Sequence, residues 1–473
     1  MRFAGSRHGG SMRSHVTCAL ALALAASACG KTSGEATGAA GSGGTTGAAG
    51  DSADAAAGTT GAGGDADAAP PPDVGPVTYY KDVQPILAQR CTSCHVEGGI
   101  APFTLATYAD AMRNAGAIAG ITAIGEMPPW MPAPGCGDFR DARVLTPLEL
   151  ATLAAWSAQG APAGDPATAP PPPSKGSDLG APSVTLDPGA DYQPNSALSD
   201  DYHCTLIDPK LTAAQDLVGF DIHPGSGATV HHVILFSVPP DKVAAAQAAD
   251  AAEAGVGWTC FGGSGVDGTA TIAGWVPGSG ATAFPPPTGI HLEAGTQVIM
   301  QIHYNLANDN HATDRTKADL FYAKTPIEAW SRAAITAVAN TTFYVAANAK
   351  QTVSAELPIS NGKFDLWGVV PHMHLHGTEL KVQIKHADGT SECAVDIPQW
   401  NFHWQQFYYY QQAMKVVPGD TIHLECTFDN TAAAQPYING KQITPAPLHW
   451  GEKTTDEMCL NYLYFTLTKP GAP

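Results

Sequence analysis

The sequence predicts a multidomain chain in which a small all-α module precedes a larger region of antiparallel β-sandwich. Three observations carry that reading. The 473 residues are enough for about three domains of ordinary size. One short stretch shows a helical apolar stripe and a capping box, whereas from about Ser183 onward short alternating or apolar segments separated by turn signals take over. Charged residues make up only 14 % of the chain against 50 Gly and 38 Pro, so part of it must be linker.

Lys and Arg number 24 against 43 Asp and Glu, a formal charge of −19. Removing the N-terminal segment, which carries Arg2, Arg7 and Arg13 and no acid, takes that to −22. Such an acidic chain lacks the basic surface a phosphate backbone requires, which argues against a nucleic-acid partner.

Residues 1–28 read as a signal peptide: a basic start, then an uncharged run from Val16 to Ala28, then Cys29. That run falls short of the about 18 apolar residues needed to span a bilayer. Its end, Ala26-Ser27-Ala28-Cys29, resembles a bacterial lipobox, which would place a lipid anchor on Cys29; Ala26 stands where Leu is usual. Ala26-x-Ala28 equally suits ordinary signal peptidase, so an outer-membrane lipoprotein, a periplasmic protein and a freely secreted one all remain open. Every variant implies export. Residues 29–77, rich in Gly, Ala, Ser, Thr and Asp without a core-seeding aromatic residue, read as a disordered tether with an end-to-end distance of roughly 35 to 40 Å. A second Pro-rich stretch, 162–182, reads as a linker between folded parts.

Between them, residues 78–161 carry Cys91-Thr92-Ser93-Cys94-His95, the C-x-x-C-H attachment site of a c-type haem. Two thiols form thioethers to the porphyrin and the adjacent imidazole of His95 reaches the iron. The alternatives for the cysteines are a redox disulfide or half of a zinc site. Val83, Ile86 and Leu87 fit a helix ending at the motif. Thr146-Pro147-Leu148-Glu149 is a capping box opening a second helix that runs through Leu150, Leu153 and Ala154 to a stop at Gly160. Helix, haem motif, loop and helix resembles a small class I cytochrome c throughout. The sixth iron ligand of that class is usually a loop Met, and Met127 fits, with Met131 as its competitor.

The β region contains the strand candidates Val230 to Val238, Gln297 to Tyr304, Glu379 to Lys385, and Asp420 to Phe428, the last following Pro418-Gly419. Most histidines lie here. His372 and His374, two apart, share a face of a strand and can hold one metal. His231 and His232 point to opposite faces of an ideal strand, so joint ligation needs a bulge or local twist. His303 stands in Gln301-Ile302-His303-Tyr304 and Met458 in Asp456-Glu457-Met458-Cys459. A thioether beside imidazoles favours copper, especially Cu(I), over zinc.

The order H-H-V-I-L-F, Q-I-H-Y, H-x-H-L-x-G and D-E-M-C-x-N-Y, spread over roughly Asp200 to Leu467, is similar to the copper type II, ascorbate-dependent monooxygenases, the family that includes dopamine β-monooxygenase and peptidylglycine α-hydroxylating monooxygenase. The resemblance implies two antiparallel, jelly-roll-like β-sandwich domains, here 183–327 and 328–473, each holding one copper and facing the other across a solvent cleft. It assigns His231, His232 and His303 to an electron-transfer copper. His372, His374 and Met458 fall to the copper that activates O2, with Tyr462 keeping an aromatic hydroxyl near that site. It further suggests the disulfides Cys204–Cys260 and Cys426–Cys459, leaving Cys136 and Cys393, whose pairing would staple the haem module to the second copper domain. Members acting on glycine-ending peptides carry an Arg where this chain has Val370, and a polar Asn where it has Leu460, which argues against peptide amidation. His223, His291, His376, His403 and His449 could line the cleft, but each taken alone reads as structural or solvent-facing.

These expectations combine as an exported haem and dicopper monooxygenase that hydroxylates a C–H bond of an unknown small substrate with O2. Electrons would enter through the fused cytochrome, from ascorbate, or from a redox protein. The competing reading is a non-catalytic electron-transfer or copper-binding protein of the cell envelope.

Overall fold

The computed structural model describes residues 72–97, 101–171, 179–227, 229–277, 279–306, 312–438 and 440–469, all within one compact unit. The signal peptide, Cys29 and the tether up to residue 71 lie outside the described residues. A π-helical turn, Tyr79–Val83, runs directly into α1 (Gln84–Arg90), which ends at Cys91. Next come α2 (Tyr108–Arg113), α3 (Ala115–Ala123) and α4 (Pro147–Ala158). The Thr146 hydroxyl accepts from the Glu149 amide while the Glu149 carboxylate accepts from the Thr146 amide, so the capping box forms in full. Val83, Leu87, Leu153 and Trp156 are buried together as the core of this module.

Both ends of the module extend beyond the 78–161 read from sequence. Val77 is buried and its amide donates to Gln159. The amides of Tyr79 and Tyr80 donate to the carbonyls of Pro162 and Ala163, and the Trp156 indole also donates to Pro162. The start of the Pro-rich stretch therefore packs on the helices; residues 172–178 of that stretch lie outside the described residues.

The β region forms two sandwiches of antiparallel sheets. The first uses β1 (Val184–Leu186), β2 (Asp200–Ile207), β3 (Gln215–His223), β4 (Val230–Val238), β5 (Trp258–Thr259), β6 (Ala270–Trp275), β7 (Thr282–Ala283), β8 (Ile290–Leu292), β9 (Gln297–Asn305) and β10 (Lys317–Tyr322). One sheet has the order β5-β2-β9-β4-β6, the other β1-β10-β3-β7 with β8 also on β3. The second sandwich uses β11 (Ala333–Asn340), β12 (Tyr344–Val345), β13 (Lys350–Pro358), β14 (Phe364–His372), β15 (Gly377–Lys385), β16 (Ser391–Ile397), β17 (Tyr408–Val416), β18 (Thr421–Asp429), β19 (Tyr437–Ile438), β20 (Lys441–Gln442), β21 (Leu448–His449) and β22 (Cys459–Leu467). Its main sheets are β11-β22-β14-β17 and β13-β18-β15-β16. An Ala-rich helix, α5 (Val243–Ala251), interrupts the first sandwich where the sequence read only strands. Among the described residues no helix is long and apolar enough to cross a membrane.

The sandwiches pack directly on each other along part of their facing surfaces. Tyr409 and Tyr464 of the second are buried in the core cluster of the first, Phe284 lies 5.1 Å from the Tyr464 ring, and the Tyr464 hydroxyl is 2.9 Å from that of Thr288. Phe407 rests on Gly274 of β6 so closely that a Cβ there would stand 2.8 Å from its ring, a contact only glycine permits. Burying these aromatic rings against each other keeps water out of that part of the seam. Strand alternation identifies inward-facing residues, but not whether their partner is the same sandwich or its neighbour.

Three disulfides link Cys204 to Cys260, Cys426 to Cys459 and Cys136 to Cys393. The last ties the loop between α3 and α4 to β16.

Candidate metal centre

The first histidine group depends on a register fault. β4 pairs with β9, Val230 opposite Tyr304 and His232 opposite His303, with a shift between Val230 and His232. His231 is thus the extra residue of a bulge, which turns both neighbouring histidines to one side. Ligand nitrogens of His231, His232 and His303 all lie within 4.8 Å of one another. The Nδ1 atoms of His231 and His303 stand 3.3 and 3.4 Å from Nδ1 of His232. His303 Nε2 lies 2.9 Å from Asp200, so donation there leaves its Nδ1 lone pair directed at the other rings. Asp200 in turn accepts from Thr454 of the second sandwich at 2.6 Å, and the Tyr202 ring stacks on His303 at 4.2 Å. Burial, then the neighbouring imidazoles, push His231 and His232 well below the usual histidine range and keep them neutral. Burial would raise Asp200, but the hydrogen bonds from His303 and Thr454 outweigh it and hold the carboxyl at about 2.

His372 ends β14, and the strand stops there, so the shared strand face expected for His372 and His374 does not exist. Glu457 brings His374 into place instead. Fully buried, its carboxylate accepts the backbone amides of His374 (2.9 Å), His376 (2.6 Å) and Met458 (3.2 Å), and so gathers both ligand arms onto one side chain. The His372 and His374 ring centroids are 5.2 Å apart. His372 Nδ1 meets the Gln405 side-chain oxygen at 2.5 Å and His374 Nδ1 meets the Asp456 carbonyl at 3.2 Å, which leaves Nε2 free on each ring. Burial pushes His372 to about 4 and His374 to about 3. Met458 is buried just ahead of β22, whose first residue, Cys459, is bound to β18.

His232, His372, His374, Met458 and Tyr462 line one cavity of about 160 Å³. Phe402 bridges the two groups, stacking on His231 at 4.8 Å and meeting the edge of His374 at 5.9 Å. Burial pushes Tyr462 up to about 12, and it sits opposite Val370 in the β14 and β22 pairing, as Leu460 sits opposite His372. Neutral, converging imidazoles with ordered outer partners, plus a buried thioether in the second group, fit copper at both places. Of the remaining histidines, His223 and His291 bind Asp319 and Asp216, His376 stands 3.4 Å from Glu457, and His449 packs on Tyr344. His403 packs beside Phe402.

In the helical module, Cys91 and Cys94 are outside the disulfides; Cys91 caps the end of α1 and Cys94 lies three residues further on. Burial, then the neighbouring Cys94, pushes the Cys91 thiol up to about 12. His95 Nδ1 stands 3.0 Å from the Phe103 carbonyl, leaving Nε2 free. Phe103, Met112 and Ile124 are exposed apolar side chains of the same module. Two thiols, a free imidazole nitrogen and uncovered apolar surface fit a covalently attached haem. The Met131 sulfur already accepts the Asn401 amide at 3.2 Å, whereas Met127 makes no such contact among the described residues.

Residues 331–470 match the family model described as copper type II ascorbate-dependent monooxygenase, C-terminal domain; the match takes in His372, His374 and Met458. The chain is similar to tyramine beta-hydroxylase of Caenorhabditis briggsae, 23% identical over 209 residues that make up 41% of this chain and 33% of that protein. It is also similar to DBH-like monooxygenase protein 1 of Gallus gallus, 24% identical over 217 residues, 41% of this chain and 32% of that protein. It therefore spans about a third of the length of the curated relatives it matches. Among solved structures, the major capsid protein P2 from Bacteriophage PM2 aligns over 61% of this chain and 99% of that chain at 9% identity and a TM-score of 0.25, too low to carry an argument. The family match and the two monooxygenase relatives support a copper-dependent monooxygenase.

Sequence reading did not find Asp200, Phe402 or Gln405, which act across 103, 171 and 33 residues on their partners and leave no local pattern. Glu457 did leave one, directly before Met458 in D-E-M-C-x-N-Y.

Proposed function

We propose that this chain is an exported monooxygenase with two coppers and one haem c, hydroxylating a C–H bond of a small substrate with O2. The observation that carries the reading is the convergence of His231, His232 and His303 on one another, with His232 lining the same cavity as His372, His374 and Met458. Bound copper would supply one-electron storage and O2 activation there. The chain's own residues do the rest. Asp200 fixes the His303 tautomer, Gln405 that of His372, and Glu457 holds the two segments bearing His374 and Met458. Phe407 and Trp450 line the cavity and limit water there.

The cavity wall is largely apolar, with Val370, Leu460, Ile335 and Trp275, and none of its lining residues is Lys or Arg. A small, mainly apolar substrate suits it, and a carboxylate-ended peptide finds no cationic partner. Three disulfides suit an oxidising compartment and so support export. In the helical module Cys91, Cys94 and His95 would hold haem, with Met127 as the candidate thioether ligand, and ascorbate or a redox protein would supply electrons.

Oxygen uptake by copper-loaded protein, driven by ascorbate and screened against a panel of small C–H substrates, tests this. Uptake proportional to a product carrying one atom from 18O2, and lost in Met458→Ile, is expected. Reversible copper reduction with no coupled uptake would leave the non-catalytic electron-transfer or copper-binding protein in its place.

A further inference from the structure

The loop between β21 and β22 carries Met458, yet its tip rests on the first sandwich. Its two ends are tied together: Trp450 and Glu457 form a backbone bridge, and the Gly451 amide donates to the Glu457 carbonyl at 3.1 Å. Within it the Asp456 amide donates to the Lys453 carbonyl at 2.8 Å, and the Asp456 carboxylate accepts the Lys453 amide at 3.2 Å. A short loop closed at its base and crossed by its own hydrogen bonds keeps its tip at a fixed place relative to that base.

The base serves the thioether group. Glu457 gathers the amides of His374 and Met458, and the Asp456 carbonyl meets Nδ1 of His374. The tip serves the other group. Buried Thr454 donates its hydroxyl to Asp200 Oδ1 at 2.6 Å, and this same oxygen stands 2.9 Å from His303 Nε2. Two residues earlier the Glu452 carbonyl accepts from the Tyr202 hydroxyl at 3.0 Å, and the Tyr202 ring is the one stacked on His303. The two groups of the first sandwich that fix His303 are therefore both held from the second. Asp200 is the first residue of β2, so pairing with β9 sets its backbone but not the rotation of its carboxylate. The Thr454 hydroxyl on Oδ1 sets that rotation, and with it the direction in which the His303 ring is turned.

Resting on the copper reading above, we propose that Thr454 is a positioning residue for the copper held by His231, His232 and His303, so that the loop bearing Met458 completes both copper groups. Thr454 bonds neither metal. It acts through Asp200 on the tautomer and orientation of His303, as an outer partner of a metal ligand does. The first sandwich supplies three histidines, and the second supplies the contact that holds one of them in place.

The test titrates copper into metal-free full-length protein against a competing chelator and follows the cupric three-histidine group by electron paramagnetic resonance. The thioether group is followed separately by its sulfur signal in copper X-ray absorption of the reduced protein. Thr454→Val keeps a branched side chain and removes the hydroxyl. It should weaken copper at the three-histidine group by about tenfold, the low end of the range for loss of an outer partner, and change that group's cupric spectrum. Thr454→Ser should restore both, and the sulfur signal should be the same in all three proteins. Tyr202→Phe, which keeps the ring on His303 and releases Glu452, is the second variant should Thr454→Val not fold, and it should weaken the same group. Unchanged affinity and spectrum in Thr454→Val, Thr454→Ser no better than Thr454→Val, or equal weakening of both copper groups would overturn the proposal and leave the two-copper reading standing. No change in Tyr202→Phe would overturn the part assigned to Glu452. Wild-type protein that takes up copper at His372, His374 and Met458 but none at the three histidines would overturn both the proposal and the two-copper reading.

Discussion

Glu452 lies in the cavity wall with its carboxyl against Gly262, where an added Cβ would stand 2.6 Å from the carboxyl carbon. Burial, then the negative charge of Asp456, push it from 4.5 to about 7. At about 1.4 kcal/mol for each tenfold change in proton affinity, the ceiling on its contribution is about 3 kcal/mol, and partial solvent contact reduces that to about 2 kcal/mol. The sign comes from linkage. An acid whose folded value is raised stabilises the fold in its neutral form, fully below the unfolded value of 4.5, and this stability is lost as pH rises from there to about 7. Glu452→Gln keeps a neutral group at every pH. Urea unfolding of the copper-free chain, followed by tryptophan fluorescence, should therefore find the variant and wild type nearly equal at about pH 4 and the variant more stable by about 2 kcal/mol at about pH 8. Equal destabilisation at both pH values would refute the reasoning, because it would mean that the carboxyl is held by a partner and not disfavoured by burial.

Other perturbations have equally direct readouts. Asp200→Asn should weaken copper at the three-histidine group by about 10- to 100-fold while leaving the thioether group loaded, as read by metal titration. Leu424, wholly buried in the second sandwich, should cost about 2 to 5 kcal/mol of unfolding free energy when cut to Ala. Thr146→Ala removes one half of the capping box and should cost about 1 kcal/mol in the helical module, visible as loss of helical signal at lower temperature than in wild type.

Local chemistry was the legible part of this chain. The capping box at Thr146, the four strand candidates and the need for a bulge at His231 all depend on neighbours in sequence, and the structure has each of them. The resemblance, not spacing, supplied the pairing of Cys204 with Cys260 and of Cys426 with Cys459, and elimination supplied the third pair; all three bonds form. Long-range packing was the illegible part. Nothing in Phe284, Tyr409 or Tyr464 announces that they pack on one another across two sandwiches. His374 reaches the cavity through amides gathered by Glu457, a device that strand periodicity cannot express. The docking on the second sandwich of loop 127–143, between α3 and α4, was signalled only by Cys136 and Cys393, left over once the other cysteines had partners, which mark a point of contact but not the aromatic surface around it.

Two unlike copper sets, the first reaching the cavity of the second through His232, are the centre of this reading, and X-ray absorption at the copper edge on fully loaded, ascorbate-reduced protein tests them most directly. Two coppers per chain are expected, with one sulfur scatterer shared between them on average. That sulfur signal should vanish in Met458→Ile, with the imidazole signal of the three-histidine group retained. A single copper indifferent to His372→Ala, zinc in copper's place, or a reduced spectrum without sulfur would contradict it.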